Sequence, residues 1–126
     1  MSQRAKPPDD IAPKDFFARW VPDAVSSDPT RQRRLGETNA CIEFELEGGG
    51  ELEGAGGVTF TVRIANGVVE GGAGPAAAPD LRVRLSVDTW RALNRGDLSA
   101  PEALLRRRVH IQGSFLLALK LHLILG

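Results

Sequence analysis

Three stretches of this chain alternate apolar and polar residues with a strict period of two. In "CIEFELE", Ile42, Phe44 and Leu46 alternate with Glu43, Glu45 and Glu47. In "VTFTVRI", Val58, Phe60, Val62 and Ile64 alternate with Thr59, Thr61 and Arg63. In "DLRVRLSV", Leu81, Val83, Leu85 and Val87 alternate with Arg82, Arg84 and Ser86. Successive side chains of a strand point to opposite faces, so each segment commits to one dry face and one wet face. The fold must therefore contain an antiparallel sheet covered on one side. Asn66-Gly67 adds a hairpin signal, because both central positions of a type I′ turn need positive φ. Pairing through that turn sets Val69 opposite Ile64, on the inner face.

The outer face then carries glutamates on one strand and arginines on others. Cross-strand ion pairs of this kind contribute a few tenths to about 1 kcal/mol each. The carboxylates point to solvent, and no pocket for acid-base work is implied. Two glycine-rich stretches, "GGGELEGAGG" and "GGAGPAAAP", separate the strands. A phosphate-binding P-loop requires Lys-Ser/Thr after its glycines at a helix mouth, whereas Val58 and Thr59 begin a strand here. The dinucleotide fingerprint fails as well, for want of a third glycine and a following helix. Both stretches are expected to be flexible connections at sheet edges.

Helices flank the sheet in sequence. Residues 1–13 hold Pro7, Pro8 and Pro13 with charge and no periodicity, the pattern of a mobile tail, and a single domain is expected over 14–126. In "PKDFFARWVPDAV", Phe16, Phe17, Trp20 and Val21 recur at spacings of three and four and share one helical face. Pro22 ends one helical turn or starts the next. Arg31, Arg33 and Arg34 have no aromatic among them and read as a solvated helix face. After the sheet, Ser86 or Asp88 caps a short helix bearing Trp90 and Leu93, and Gly96 stops it. Ser99 and Glu102 have capping-box spacing, with Leu104 and Leu105 as the apolar side of that helix. "RVHIQG" reads as a strand, with Val109 and Ile111 on one face and His110 on the other. Gly113-Ser114 breaks it and caps the last helix.

At 126 residues the chain has enough material for one real core. Sixteen basic residues balance sixteen acidic ones, which speaks against a nucleic-acid binder and against strong electrostatic recruitment to anionic membranes. The lone Cys41 excludes an internal disulfide framework and fits a reducing compartment. "MSQRAKPPDD" lacks the apolar stretch of a secretory leader, so a cytoplasmic location is expected. Cys41, His110 and His122 have no metal-ligand spacing, and no Gly-x-Ser-x-Gly elbow occurs. No catalytic residue, metal or cofactor is expected.

The final run, "SFLLALKLHLIL", poses a packing problem. It is well short of the roughly 20 residues needed to span a bilayer as a helix. An amphipathic surface helix gathers its polar groups on one side. Lys120 and His122 instead lie roughly 200° apart around the helix, and leucines fill nearly every other direction. Such a helix is either buried on several sides by its own chain, or turns one side to something apolar such as a lipid or a partner subunit.

The segment "DLRVRLSVDTWRALNRGDLSAPEALLRRRVHIQGSFLLALKL", Asp80 to Leu121, resembles the sterol carrier protein 2 family of lipid-binding domains. The shared pattern is a strand, a short helix ending at glycine, a second short helix, a strand, and an Ala/Leu-rich helix. Gly96, Leu98, Pro101, Ile111 and Gly113 fall at the positions that pattern requires, and the likeness extends loosely over Lys14 to Leu125. The resemblance implies an α+β fold: a five-stranded, mostly antiparallel sheet with helices packed on one face and an apolar cavity between them. It implies a ligand that is a fatty acid, acyl-CoA, a sterol-like molecule or an isoprenoid, and no active site. One branch of the family is an accessory factor in bacterial ubiquinone biosynthesis. The chain closes on Ile-Leu-Gly rather than a Ser-Lys-Leu-type peroxisomal signal, and its glycine, alanine and arginine content suggests a bacterial source.

A lipid carrier needs apolar lining rather than a nucleophile, since each buried methylene contributes about 0.8 kcal/mol. The candidate lining residues are Phe44, Phe60, Val62, Leu85, Trp90, Leu104, Leu105, Phe115 and Leu119. The leading expectation is a soluble lipid-binding or lipid-transfer domain, with at most transient membrane contact. The alternative is a non-catalytic interaction module, in which the last helix joins a homodimer or a lipid- or quinone-pathway enzyme.

Overall fold

The computed structural model describes residues 6–48 and 57–125. The glycine-rich stretch "GGGELEGAGG" lies outside the described residues apart from its two end glycines. The elements run α1 (Pro13–Asp15), a π-helical stretch Phe16–Trp20, α2 (Val21–Ser27), α3 (Pro29–Leu35), β1 (Ala40–Glu47), β2 (Val58–Ala65), β3 (Val68–Ala73), β4 (Leu81–Ser86), α4 (Val87–Arg95), α5 (Ala100–Leu105), β5 (Val109–Gly113) and α6 (Phe115–Leu125).

The five strands form one sheet in the order β3-β2-β1-β4-β5. Three neighbouring pairs are antiparallel, and β1 and β4 at the centre are parallel. The register carries apolar rows across the inner face. One row is Ala73, Phe60, Phe44, Val83 and Ile111; the next is Gly71, Val62, Ile42, Leu81 and Gly113. Ile42, Phe44, Leu46, Phe60, Val62, Ile64, Val69, Leu81, Val83 and Leu85 are all buried, as the alternation requires. Asn66 (φ 53°) and Gly67 (φ 78°) make the expected turn, and Val69 sits opposite Ile64. Val87 does not extend β4. The Ser86 hydroxyl accepts from Thr89 N–H at 3.0 Å, so Val87 opens α4 and reaches the core from a helix.

Gly71 and Gly72 are likewise not connection residues but part of β3. The segment after them is tied to the sheet: Ala76 N–H donates to Glu43 Oε1 at 2.9 Å, and Thr61 Oγ1 donates to the Gly74 carbonyl at 2.8 Å. On the outer face the arginine and glutamate strands pair as expected, Arg82 with Glu43 at 3.4 Å and Arg84 with Glu47 at 3.1 Å.

Pro22 shapes the helical layer. It has no N–H to donate, and Val21 N–H donates to the Phe16 carbonyl, one residue further back than in an α-helix. The Phe17 carbonyl is passed over, and it lies against Gly71 so closely that a Cβ there would collide with it. The widened turn thus lowers the Phe16–Trp20 segment onto the sheet, and α2 resumes behind it. Residues 9–13 also join the fold. Arg91 Nη1 donates to the Asp9 and Ile11 carbonyls at 3.0 and 3.1 Å.

Arg31 is not on a solvated face; it is 2% exposed. Its guanidinium lies 5.5 Å from the centre of the Trp20 ring, and Asp28 Oδ2 is 3.9 Å from its Nε. Asp28 also caps α3 by accepting from Thr30 N–H at 2.9 Å. The aromatic partner comes from the preceding helical segment rather than from within the arginine cluster. Arg33 and Arg34 are exposed.

Candidate functional site

The region between the sheet and the helical layer is organised by Phe17, which is 1% exposed. Its ring centre lies 4.9 Å from those of Phe44 and Phe60 on the sheet, and 4.9 Å from that of Phe16. Phe16 stacks on Trp20 at 5.3 Å and meets Trp90 edge-on at 5.2 Å. Two strands, the π-helical stretch and α4 therefore contribute to one continuous aromatic layer. Ring pairs at these separations attract beyond their area burial. Val62, Leu85, Leu121 and Ile124 belong to the same cluster.

A buried donor in this layer lacks an acceptor. Trp90 is 4% exposed, and its Nε1–H has no hydrogen-bond partner among the described residues. A buried donor without an acceptor costs about 1–3 kcal/mol. A tryptophan in an otherwise apolar layer normally finds an acceptor for its N–H.

Of the candidate lining residues, Phe44, Phe60, Val62, Leu85 and Trp90 come together in this cluster. Leu104 is half-buried on α5, where Ala103 takes the fully buried position. Leu105, next along, is 85% exposed. Phe115 and Leu119 lie on the outer side of α6, 61% and 49% exposed, because Leu121 and Ile124 take the inward positions. Sequence reasoning placed Phe16 and Phe17 on a helical face but did not include them in the lining. Their spacing of three and four with Trp20 and Val21 was the available signal. That Phe17 would stack on β1 and β2 depends on the Pro22 register change, which periodicity does not convey.

A concavity of about 380 Å³ is polar and lies beside the outer face. Glu47, Arg84, Asp88, Arg108 and His110 line it, and Arg108 Nε donates to Thr89 Oγ1 at 3.2 Å. Within it Glu47 pairs with Arg84 at 3.1 Å. Among the described residues no three His, Cys, Asp or Glu side chains gather into a metal-binding group. No described helix is long and apolar enough to cross a membrane.

Comparison with known proteins agrees with this architecture. The family model described as the SCP-2 sterol transfer family matches residues 21–126. No curated protein matches the chain. Several solved structures share the fold. Apo sterol carrier protein 2 from Yarrowia lipolytica is 22% identical, with 85% of this chain and 82% of that one covered and a TM-score of 0.63. Palmitated SCP2L2 from Aedes aegypti is 19% identical, with 85% and 88% covered and a TM-score of 0.66. The stereoselective inverting sec-alkylsulfatase from a Pseudomonas species is 20% identical, with 92% of this chain but only 16% of that one covered, at a TM-score of 0.65. In that enzyme the fold is one part of a much longer chain.

Proposed function

We propose, on the premise that the chain belongs to the SCP-2 sterol transfer family, that it binds a lipid between the inner face of its sheet and its helices, and that it has no catalytic activity of its own. The ligand is a fatty acyl, sterol-like or isoprenoid molecule. The observation that carries this reading is the aromatic layer with an unmatched indole donor at Trp90 Nε1. A lipid seated along Phe44, Phe60 and Val62 would match the surface it meets. A hydroxyl, carbonyl or carboxylate oxygen on that lipid would supply the acceptor that the indole lacks. One of the proteins of this fold is described as palmitated, which supports an acyl chain as ligand.

Binding requires the helical layer to yield, because Phe17 and Ile124 are each 1% exposed within the same cluster. The energy is available, since about a dozen buried methylenes at roughly 0.8 kcal/mol each exceed the cost of parting a few side chains. Displacement of a fluorescent fatty acid by unlabelled palmitate, sterol or isoprenoid alcohol, with native mass spectrometry of gently purified protein, tests the reading. A saturable, displaceable signal with bound lipid in the spectrum is expected. Absence of both would sink it.

A further inference from the structure

The outward side of α6 inverts the usual pattern of a surface helix. Phe115, Leu116, Leu119 and Leu123 are 61%, 78%, 49% and 49% exposed. At about 100° per residue these four fall within an arc of roughly 100°. Leu121 and Ile124 occupy the opposite, buried side. Lys120 and His122 fall at the two borders between these sides, and both are half-buried. The outward arc therefore contains no polar side chain, whereas a solvent-facing helix puts its polar residues there.

We propose that this arc seats the molecule on the surface of an anionic lipid bilayer, with α6 lying in the plane of the headgroups. The charges around the arc fit such a surface. Lys120 borders it, with a stem long enough for its ammonium to reach headgroups while apolar neighbours insert, and His122 offers a polar ring at the other border. Arg34 Nη1 donates to the Leu123 carbonyl at 2.9 Å, which places a guanidinium near the C-terminal end of the arc. Arg33 is exposed on the same α3. Neither Pro29–Leu35 nor Phe115–Leu125 contains a carboxylate side chain. At 11 residues α6 is about 16 Å long, half the hydrocarbon thickness of about 30 Å, so it rests in the interface rather than crossing it.

Area argues against a second copy as the occupant. The four side chains expose roughly 470 Å² in total, taking about 200 Å² for each large apolar side chain. A stable protein interface needs about 800 Å² from each partner. The arc is also separate from the proposed lipid site, because it faces away from Leu121 and Ile124.

Sedimentation of the full chain with phosphatidylcholine vesicles, with and without phosphatidylglycerol, tests the proposal. Binding is expected, stronger with phosphatidylglycerol and weaker as salt rises. Leu116→Glu with Leu119→Glu should lower vesicle partition about tenfold or more, since two inserting side chains become charged, while displacement of a fluorescent fatty acid is unchanged. Leu116→Ser alone gives the same reading, at smaller size, should the double variant misfold. Lys120→Glu should remove the preference for phosphatidylglycerol. Wild-type protein that ignores both vesicle types overturns the proposal, as does a folded double variant that binds like wild type. So does a dimer that these substitutions dissolve without any vesicle binding. Wild-type protein that binds vesicles but displaces no fatty acid overturns the proposed function and leaves this proposal standing.

Discussion

Gly71→Ala is the sharpest test of how the helical layer meets the sheet. A Cβ at Gly71 would collide with the backbone oxygen and carbon of Phe17. The obstacle is main chain rather than a side-chain tip that can rotate away, so the Phe16–Trp20 segment must lift. Lifting it loosens Phe17 from Phe44 and Phe60, each 4.9 Å away. Overpacking of this kind costs typically 1–3 kcal/mol. Against it, alanine in a strand gains roughly 0.5–1 kcal/mol over glycine by restricting the unfolded chain. We predict a net loss of about 1–2 kcal/mol, or roughly 3–10 °C in Tm for a domain of this size. Gly72 provides the control, because a Cβ there meets nothing within 4 Å. Gly72→Ala should be neutral or stabilising by a few tenths of a kcal/mol. Urea denaturation followed by the fluorescence of Trp20 and Trp90 measures both. If Gly71→Ala falls within about 0.5 kcal/mol of wild type, or Gly72→Ala costs as much, close approach of the π-helical stretch does not hold the layer in place.

Two further predictions address buried polar groups. Trp90→Phe removes the unmatched indole donor while keeping an aromatic ring in place. Stability in the absence of ligand should change by less than about 1 kcal/mol, because lost packing and relieved desolvation offset each other. Affinity for a fluorescent fatty acid should nevertheless fall about five- to tenfold; unchanged affinity would remove Trp90 Nε1 from the ligand site. Arg31→Ala should cost about 2 kcal/mol in urea denaturation, and Arg31→Lys should recover only part of it. An ammonium keeps the charge beside Asp28 but cannot lie flat on Trp20. Full recovery by lysine would mean that stacking contributes nothing.

Much of the sheet was legible because each strand carries its burial in its own alternation. Ile42, Phe60 and Leu81 needed no knowledge of their partners to be assigned inward. Caps and stops were equally local. Ser99 accepts from Glu102 N–H at 3.2 Å, Ser114 accepts from Leu117 N–H at 3.1 Å, and Gly96 sits at φ 83°. What stayed hidden depends on contacts distant in sequence or on register. Nothing local indicates that β1 and β4 pair in parallel. Arg31 looked solvated because its aromatic partner, Trp20, lies in a different helical segment. The candidate lining divides along the same line. Phe44, Phe60 and Val62 were fixed by strand alternation. For Phe115 and Leu119 the period was uninformative, since apolar residues surround α6. Only its docking against α3 and the sheet decides which leucines face outward. Lys120 and His122, roughly 200° apart, left the helix without a polar stripe in the sequence, and in the structure they mark the two borders of the outward arc.

The ends of the sheet bear on how the molecule meets other copies of itself. An edge strand offers unpaired backbone groups, and a long, flat, apolar edge recruits further strands. Here one edge is β3, six residues long and interrupted by Gly71 and Gly72. The other is β5, five residues long, presenting His110 and Gln112 outward and ending at Gly113, φ 118°, tight against the Asp80 carbonyl. Neither edge is a good template for a further strand. The apolar surface of α6 belongs instead to a helix, whose backbone groups are largely satisfied within itself. Association through that surface can join one molecule to a partner or a bilayer, but it cannot propagate as a growing sheet.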